Sequence, residues 1–153
     1  MLAVDNIRRL ADRFAEAGIR LALEPECFLQ SVERLRRMLR DVGDDRVFVN
    51  FDPTNFYLGG SDPLEIFEDF DRRILSGHIK DAVYRSERRD EVPVGEGELD
   101  YDRILSHLLR RGAPMTLFIE HCTTPEQVRA AARHIAAVLE RLGRGPAAGP
   151  ASD

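Results

Sequence analysis

The stretch Val47-Phe48-Val49-Asn50-Phe51-Asp52-Pro53-Thr54-Asn55 decides how the rest of this chain is interpreted. Its β-branched and aromatic start predicts a buried strand, and that strand ends in an aspartate. The segment Ile74-Leu75-Ser76-Gly77-His78-Ile79-Lys80-Asp81 repeats the pattern with a histidine near its end. Apolar runs at residues 19–24 and 115–120 each end in a glutamate. Four predicted strands therefore finish on residues able to bind a metal, namely Glu24, Asp52, His78 and Glu120.

Size and composition predict one globular domain over residues 1–142 and a flexible tail, rich in Gly, Pro and Ala, over residues 143–153. Charged residues make up 32% of the 153-residue chain and hydrophobic residues 43%, as in soluble folded proteins. With 27 acidic and 22 basic side chains the formal net charge is −5, which argues against binding to nucleic acid or to anionic lipid.

No apolar stretch is long enough to cross a bilayer, and the N-terminus lacks the apolar core of a signal peptide. We therefore expect a cytoplasmic protein without a membrane partner. Cys27 and Cys122 have neither metal-finger nor disulfide-framework spacing, so both are expected to be reduced thiols.

Helical periodicities alternate with the four strands. Helix starts are predicted near Val4, Ser31, Asp62, Asp100 and Thr124, mostly at capping residues. Residues 55–60 are expected to form a loop, and residues 82–99 a long irregular segment of the kind that is often functional. Strands alternating with helices predict an α/β fold with parallel strands joined by right-handed crossovers, the second strand being covered on both faces.

In such a fold the carboxyl ends of the strands meet at one face, where the loops build the site. Side chains alternate along a strand, so Asn50 shares a face with Asp52, and Ser76 and Lys80 share one with His78. Three carboxylates and an imidazole would then converge in a shell that suits Mn²⁺, Mg²⁺, Co²⁺ or Zn²⁺. Each residue alone has a structural alternative, because acids after strands commonly cap helices and strand histidines are commonly only hydrogen-bonded.

These residues resemble the xylose isomerase-like TIM barrels, the sugar phosphate isomerase/epimerase group. The matching motifs are Leu23-Glu24-Pro25, Asn50-Phe51-Asp52-Pro53-Thr54-Asn55, Gly77-His78-Ile79-Lys80-Asp81, Pro93-Val94-Gly95-Glu96-Gly97-Glu98-Leu99-Asp100 and Ile119-Glu120. In order and spacing they are similar to the last four βα units of that family. The resemblance implies a partial, half TIM barrel: four parallel βα units with a preceding N-terminal helix.

The resemblance also implies a function. Glu24, Asp52, His78 and Glu120 would bind one divalent metal ion, and Glu24 and Glu120 would also be the catalytic acid/base pair. Two carboxylates beside a cation can move a proton between neighbouring carbons of a small sugar through a metal-stabilised enediolate, as an isomerase or epimerase does. Lys80 and Asn55 would bind substrate, although a strand-end lysine can be merely solvated and an asparagine can be a turn former. A dehydratase on the same scaffold is the alternative reaction.

The sequence departs from the family in several respects. A closed barrel needs eight strands, so four strands imply a homodimer, a missing N-terminal half, or a non-catalytic half-barrel. Met1 is followed directly by an amphipathic helix, which suggests a start inside a longer ancestral frame. A zinc endonuclease of the same superfamily is disfavoured, because Asn55 stands where it would need a histidine. Tyr84 stands where some keto-sugar epimerases use an arginine, which leaves the substrate open.

Overall fold

The computed structural model describes residues 2–85 and 88–143, so the predicted tail lies, beyond Gly143, outside the described residues. The chain divides into two compact units. The first contains the residues up to Ile79 together with Met115–Phe118, and the second contains Lys80–Pro114 together with the residues from Ile119 onward. The single domain ending at residue 142 stays a prediction.

The described strands form a four-stranded parallel sheet and a separate hairpin. They are β1 (Leu21–Leu23), β2 (Val47–Phe51), β3 (Ile74–Ile79), β4 (Asp81–Arg85), β5 (Arg88–Val92) and β6 (Thr116–Ile119). The sheet has the order β1-β2-β3-β6, with Leu21 beside Val47 and Val49 beside Ile74. The predicted α/β class with four parallel strands is therefore confirmed.

Helices connect the strands of the sheet. Those described are α1 (Leu2–Glu16), α2 (Val32–Val42), α3 (Pro53–Leu58), α4 (Ile66–Phe70), α5 (Tyr101–Arg111) and α6 (Pro125–Arg141), with short 3-10 turns at Cys27–Leu29, Pro63–Glu65 and Asp71–Arg73. Within the described ranges, no helix combines the length and apolarity that crossing a membrane requires.

Two predicted helix caps behave differently. At α6, the Thr124 hydroxyl accepts from the Gln127 amide while the Gln127 side chain accepts from the Thr124 amide, each at 3.2 Å, so the expected capping box is present. At α2, Ser31 occupies the N-cap position but makes no side-chain cap bond. The Val32 amide instead donates to the Ser61 hydroxyl at 3.2 Å, so this helix start depends on a residue far along the chain.

The predicted irregular segment over residues 82–99 is wrong in its first half. β4 and β5 pair there as an antiparallel hairpin, with Asp81 beside Val92 and Val83 beside Asp90. Charged residues on both strands hide the alternation of apolar and polar positions by which a hairpin is normally recognised in a sequence.

The predicted loop over residues 55–60 is also wrong, because α3 occupies most of it. Asp52 caps this helix and Pro53 follows at its first position, where a missing amide hydrogen costs nothing. The aspartate ends β2 and starts α3 at the same point, so the helix-capping alternative considered for acids after strands does apply to Asp52.

β2 shows that the sheet is packed on one face more than on the other. Val47, Val49 and Phe51 are buried, whereas Phe48 and Asn50 are half-buried. The expectation of a second strand covered on both faces is thus wrong for the described residues. The apolar core of the first unit lies on the helix side, where Phe51 packs edge-on against Phe67 at 4.9 Å.

Candidate metal centre

Asp52 is the most firmly held of the candidate ligands. Its Oδ1 accepts from the Asn55 backbone amide at 2.9 Å, and its Oδ2 accepts from the Asn55 side-chain amide at 3.0 Å. The Asp52 side chain has no exposed surface, and Asn55 is equally buried. The first turn of α3 therefore fixes the orientation of this carboxylate.

His78 lies on β3 and faces two carboxylates with one ring nitrogen. Its Nδ1 is 3.1 Å from Glu24 Oε1, on the residue that follows β1, and 3.7 Å from Asp52 Oδ2, at the end of β2. The His78 side chain is 15% exposed, and the Phe118 ring stands edge-on to it at 6.2 Å. Three neighbouring strands thus bring their predicted ligands to one point.

The donor set fits a divalent cation. One ligand atom from each of Glu24, Asp52 and His78 lies within 4.8 Å of the others. Ligands about 2.1 Å from a metal, at angles near 90–109°, are separated by about 3.0–3.5 Å, which is close to the distances around Nδ1. Two carboxylates and one imidazole without a thiolate suit Zn²⁺, Mn²⁺, Co²⁺ or Mg²⁺.

The far side of the His78 ring is held by a second pair of residues. Asn50 Nδ2 lies 3.0 Å from His78 Nε2, and the Ser76 hydroxyl donates to Asn50 Oδ1 at 2.7 Å. Sequence reasoning placed Asn50 and Ser76 on this face but gave them no role. Their spacing could have indicated a role beside the ligands, since Asn50 lies two residues before Asp52 and Ser76 two residues before His78.

The second unit contains Glu120 and a group of charged residues near it. Lys80 Nζ lies 2.8 Å from Glu91 Oε1 and 3.8 Å from Glu120 Oε2, and its side chain is only 4% exposed. The other Glu91 oxygen is 3.3 Å from His121 Nε2. Sequence reasoning missed Glu91 because it lies on β5, within the segment that was expected to be irregular.

Asp81 organises the glycine-rich motif that follows the hairpin. Its carboxylate accepts from the amides of Ala82 at 2.9 Å, Leu99 at 3.0 Å and Gly95 at 3.1 Å. A Cβ on Gly97 would lie 2.2 Å from Asp81 Oδ1, so only glycine fits at that position. This motif therefore has a structural explanation, as a loop folded around a buried carboxylate.

The cysteines do not join the ligand set. Both are free thiols, as expected. Cys122 donates to the Glu120 carbonyl oxygen at 3.6 Å, and burial, with a smaller effect of Glu96, raises the pKa of its thiol.

Over residues 1–140 the sequence matches the family described as xylose isomerase-like TIM barrel. The match covers most of the chain, and the chain therefore belongs to this family. The resemblance read from the motifs is confirmed, and the four parallel strands correspond to a partial barrel.

Individual relatives agree with this assignment. Inosose dehydratase from Lacticaseibacillus casei is 31% identical over 88 residues, which are 56% of this chain and 29% of that protein. The xylose isomerase domain protein of Planctomyces limnophilus has a TM-score of 0.75 at 24% identity, covering 92% of this chain and 54% of that one. The IOLI protein, solved with a zinc atom, has a TM-score of 0.61 at 25% identity, covering 92% and 53%.

Further matching structures include a magnesium complex and proteins named as sugar epimerases or as dehydratases. The chain spans about half the length of the matched structures and less than a third of that of the curated relative.

Proposed function

We propose that Glu24, Asp52, His78 and Glu120 bind one divalent metal ion. The observation that carries the proposal is the position of His78 Nδ1 beside two carboxylates from neighbouring strands, at 3.1 and 3.7 Å. Glu120 directly follows β6, the strand next to β3 in the sheet, which is where a fourth ligand is expected. The zinc and magnesium named for two matched structures support a divalent ion without selecting one.

The function we propose is isomerisation or epimerisation of a small sugar or sugar derivative, by a barrel that this chain completes with a second copy or with a further N-terminal half. When bound, the cation would stabilise the negative charge that develops as a proton leaves carbon. Glu24 and Glu120 would take and return that proton, since each is a half-exposed carboxylate at a strand end. Asp52 is buried and bound to Asn55, which suits a fixed ligand better than a proton carrier.

Lys80 is proposed to contact substrate, and its surroundings indicate the kind of group. Its ammonium lies between Glu91 and Glu120, so two negative charges offset its positive charge. A neutral hydroxyl or carbonyl oxygen would then be favoured there over a phosphate or carboxylate group, because Glu91, the acid closer to the ammonium and not a proposed metal ligand, would repel an anion.

Asn55 is a further proposed substrate contact. Its amide nitrogen already donates to Asp52. Its Oδ1 is buried without a hydrogen-bond partner among the described residues, so Oδ1 is the atom that a substrate hydroxyl or a water would have to reach. Asn55 thereby also acts on the site through Asp52.

Dehydration is the second candidate reaction, and the similarity to inosose dehydratase favours it. The same acid/base pair could remove a proton from one carbon and protonate the hydroxyl leaving the next. Incubating metal-loaded protein with neutral keto sugars and with inososes in D₂O separates the two reactions. An isomerase or epimerase incorporates deuterium at unchanged oxygen content, whereas a dehydratase forms a product lighter by one water.

The metal assignment is tested by calorimetric titration of the metal-free chain with Zn²⁺ and with Mn²⁺. We expect His78→Gln and Glu24→Gln each to weaken binding about 10–100-fold or more, as loss of a ligand should. His107→Gln, on α5, is the matched control and should bind like the wild type. Circular dichroism must show that the variants fold, since Asp52→Ala would also remove the cap of α3. Unchanged affinity in folded His78→Gln would refute the assignment.

A non-catalytic half-barrel is the remaining alternative. It predicts no metal binding and no activity on keto sugars or inososes for any assembled form of the chain. Sedimentation, the metal titration and the assay in D₂O together decide between this alternative and the metal-dependent enzyme.

A further inference from the structure

Ser76, Asn50 and His78 form a chain of hydrogen bonds that ends on the candidate metal ligand. The Ser76 hydroxyl donates to Asn50 Oδ1 at 2.7 Å, and Asn50 Nδ2 is 3.0 Å from His78 Nε2. With the hydrogen bonds in this direction, His78 Nε2 accepts a hydrogen from the Asn50 amide, so the proton of the neutral imidazole is on Nδ1. That Nδ1–H donates to Glu24 Oε1 at 3.1 Å.

A metal bound to His78 Nδ1 requires these hydrogen bonds to run in the opposite direction. Nδ1 must then offer its lone pair between the two carboxylates, and the ring proton must move to Nε2. Nε2–H needs an acceptor, and Asn50 supplies one if its amide turns to present Oδ1. Nδ2 would then donate to the Ser76 hydroxyl, which can accept as readily as it donates.

We propose that Asn50 is a positioning residue that sets the tautomer of His78 and reverses its amide when a metal binds. The inference rests on the proposed metal site and adds to it how the imidazole changes from partner of Glu24 to ligand. In both arrangements Asn50 is hydrogen-bonded to Ser76 on one side and to His78 on the other, so the reversal keeps the three side chains connected.

Asparagine suits this task better than other residues of its size. An aspartate at position 50 could only accept, which would keep a proton on Nε2 whether or not metal is present. A leucine would offer Nε2 nothing and leave the Ser76 hydroxyl without its Asn50 partner.

The test is two-bond ¹H–¹⁵N spectroscopy of the histidine rings at mildly alkaline pH, with and without Zn²⁺, the His78 signals being identified by their loss in His78→Gln. We expect Nδ1–H in the metal-free wild type and Nε2–H with a coordinated Nδ1 after Zn²⁺ addition. Asn50→Asp should show Nε2–H before metal is added. Asn50→Leu should bind Zn²⁺ about 10-fold more weakly.

Asn6→Asp is the control for Asn50→Asp, because it adds the same charge at an exposed position on α1. It should leave the tautomer unchanged. If Zn²⁺ leaves the His78 signals unperturbed, the proposed function and this inference fail together. If Zn²⁺ binds His78 but the wild-type ring already carries Nε2–H without metal, or folded Asn50→Leu keeps wild-type affinity, the inference about Asn50 fails alone.

Discussion

At the scale of single residues, Gly97 shows how closely the loop after the hairpin is folded. A Cβ at this position would lie 2.2 Å from Asp81 Oδ1 and 2.5 Å from the Ala82 carbonyl oxygen. The carboxylate cannot retreat without losing the amides of Gly95 and Leu99.

We therefore expect Gly97→Ala to lower the free energy of unfolding by roughly 1–3 kcal/mol, as overpacking typically does. Chemical denaturation monitored by circular dichroism measures this. Gly112→Ala is the control, because a Cβ there meets nothing within 4 Å and only the backbone strain of φ +69° remains. A Gly97→Ala chain as stable as the wild type would contradict the described fold of the loop.

Glu91 offers a test of ligand preference. Replacing Glu91 with Gln removes one of the two negative charges beside Lys80, so affinity for a sugar phosphate should rise relative to the neutral sugar. We expect a shift of about fivefold, corresponding to ~1 kcal/mol for a partly exposed charge pair. Calorimetry with matched neutral and phosphorylated ligands measures it, with Asp90→Asn on the same strand as control. Tighter binding of the phosphate by the wild type would overturn the proposed preference for neutral groups.

Sequence could predict much of the candidate centre at this scale. Glu24, Asp52 and His78 were found because strand alternation and strand ends are visible in a sequence, and these three do come together. Glu91 could not be found, since its approach to Lys80 depends on the register of a hairpin that charged residues conceal. The role of Asn50 depends on a hydrogen-bond direction, which strand alternation alone does not specify.

At the scale of elements, α6 and α2 begin in different ways although both have a hydroxyl residue at the N-cap. Thr124 accepts the amide of Gln127, whereas the Ser31 side chain makes no cap bond. Thr124→Ala should therefore lower the free energy of unfolding by about 1 kcal/mol, and Ser31→Ala by much less. Paired thermal melts compare the two variants. If Thr124→Ala and Ser31→Ala lowered the stability equally, the side-chain cap of α6 would contribute no more than Ser31 does at α2.

The turn between α2 and β2 should make stability depend on pH. Side-chain hydrogen bonds from Arg46 hold the pKa of Asp44 below its usual value, and one bond from the Arg46 backbone amide adds to the effect. Since the folded pKa is depressed, the stabilisation is present above the unfolded value of about 4 and is lost as pH falls through the folded pKa.

Asp44→Asn should accordingly be destabilised at neutral pH by roughly 0.5–1 kcal/mol, and its difference from the wild type should shrink toward zero in acid. Urea denaturation across pH measures this. Asp45→Asn, at a fully exposed side chain, is the control. A difference for Asp44→Asn that does not vary with pH would contradict the role given to the ion pair.

Element boundaries were predictable where a single local signal dominates. The start of α6 follows from Thr124-Pro125-Glu126-Gln127, and the start of α5 from Asp100, whose side chain accepts the Arg103 amide. α3 was missed because residues 55–60 were expected to form a loop, although helix capping had been considered for acids that follow a strand. The start of α2 was also predicted correctly at Ser31, but the hydrogen bond from Val32 to Ser61 was not, because that contact arises only once the chain has folded.

At the scale of the whole molecule, the sheet of the first unit has an incompletely covered face. Phe48 is half-buried, and the Phe118 side chain, on the strand next to β3, is 53% exposed. Exposed apolar sheet surface favours association. A closed barrel of this family has eight strands, and the sheet described has four. The homodimer or the additional half proposed above would supply the other four.

We expect the purified chain to sediment as a dimer at micromolar concentration, and Phe118→Asp to shift it toward monomer. Sedimentation velocity over a range of concentrations gives the result. Val128→Asp is the matched control, because Val128 is a similarly exposed apolar residue on α6. A wild-type chain that stays monomeric throughout, or dissociation by Val128→Asp alone, would rule out association through this face.

Asp52 combines a proposed role as metal ligand with an observed role as the cap of α3. The aspartate caps α3 through the Asn55 amide, so a relative without metal chemistry would still gain stability from keeping it. Its presence in a newly found half-barrel would then say little about whether that protein is a working enzyme or a relic. His78 lies on β3 and caps no helix. Its replacement would therefore be the better sign that such a protein no longer binds a metal.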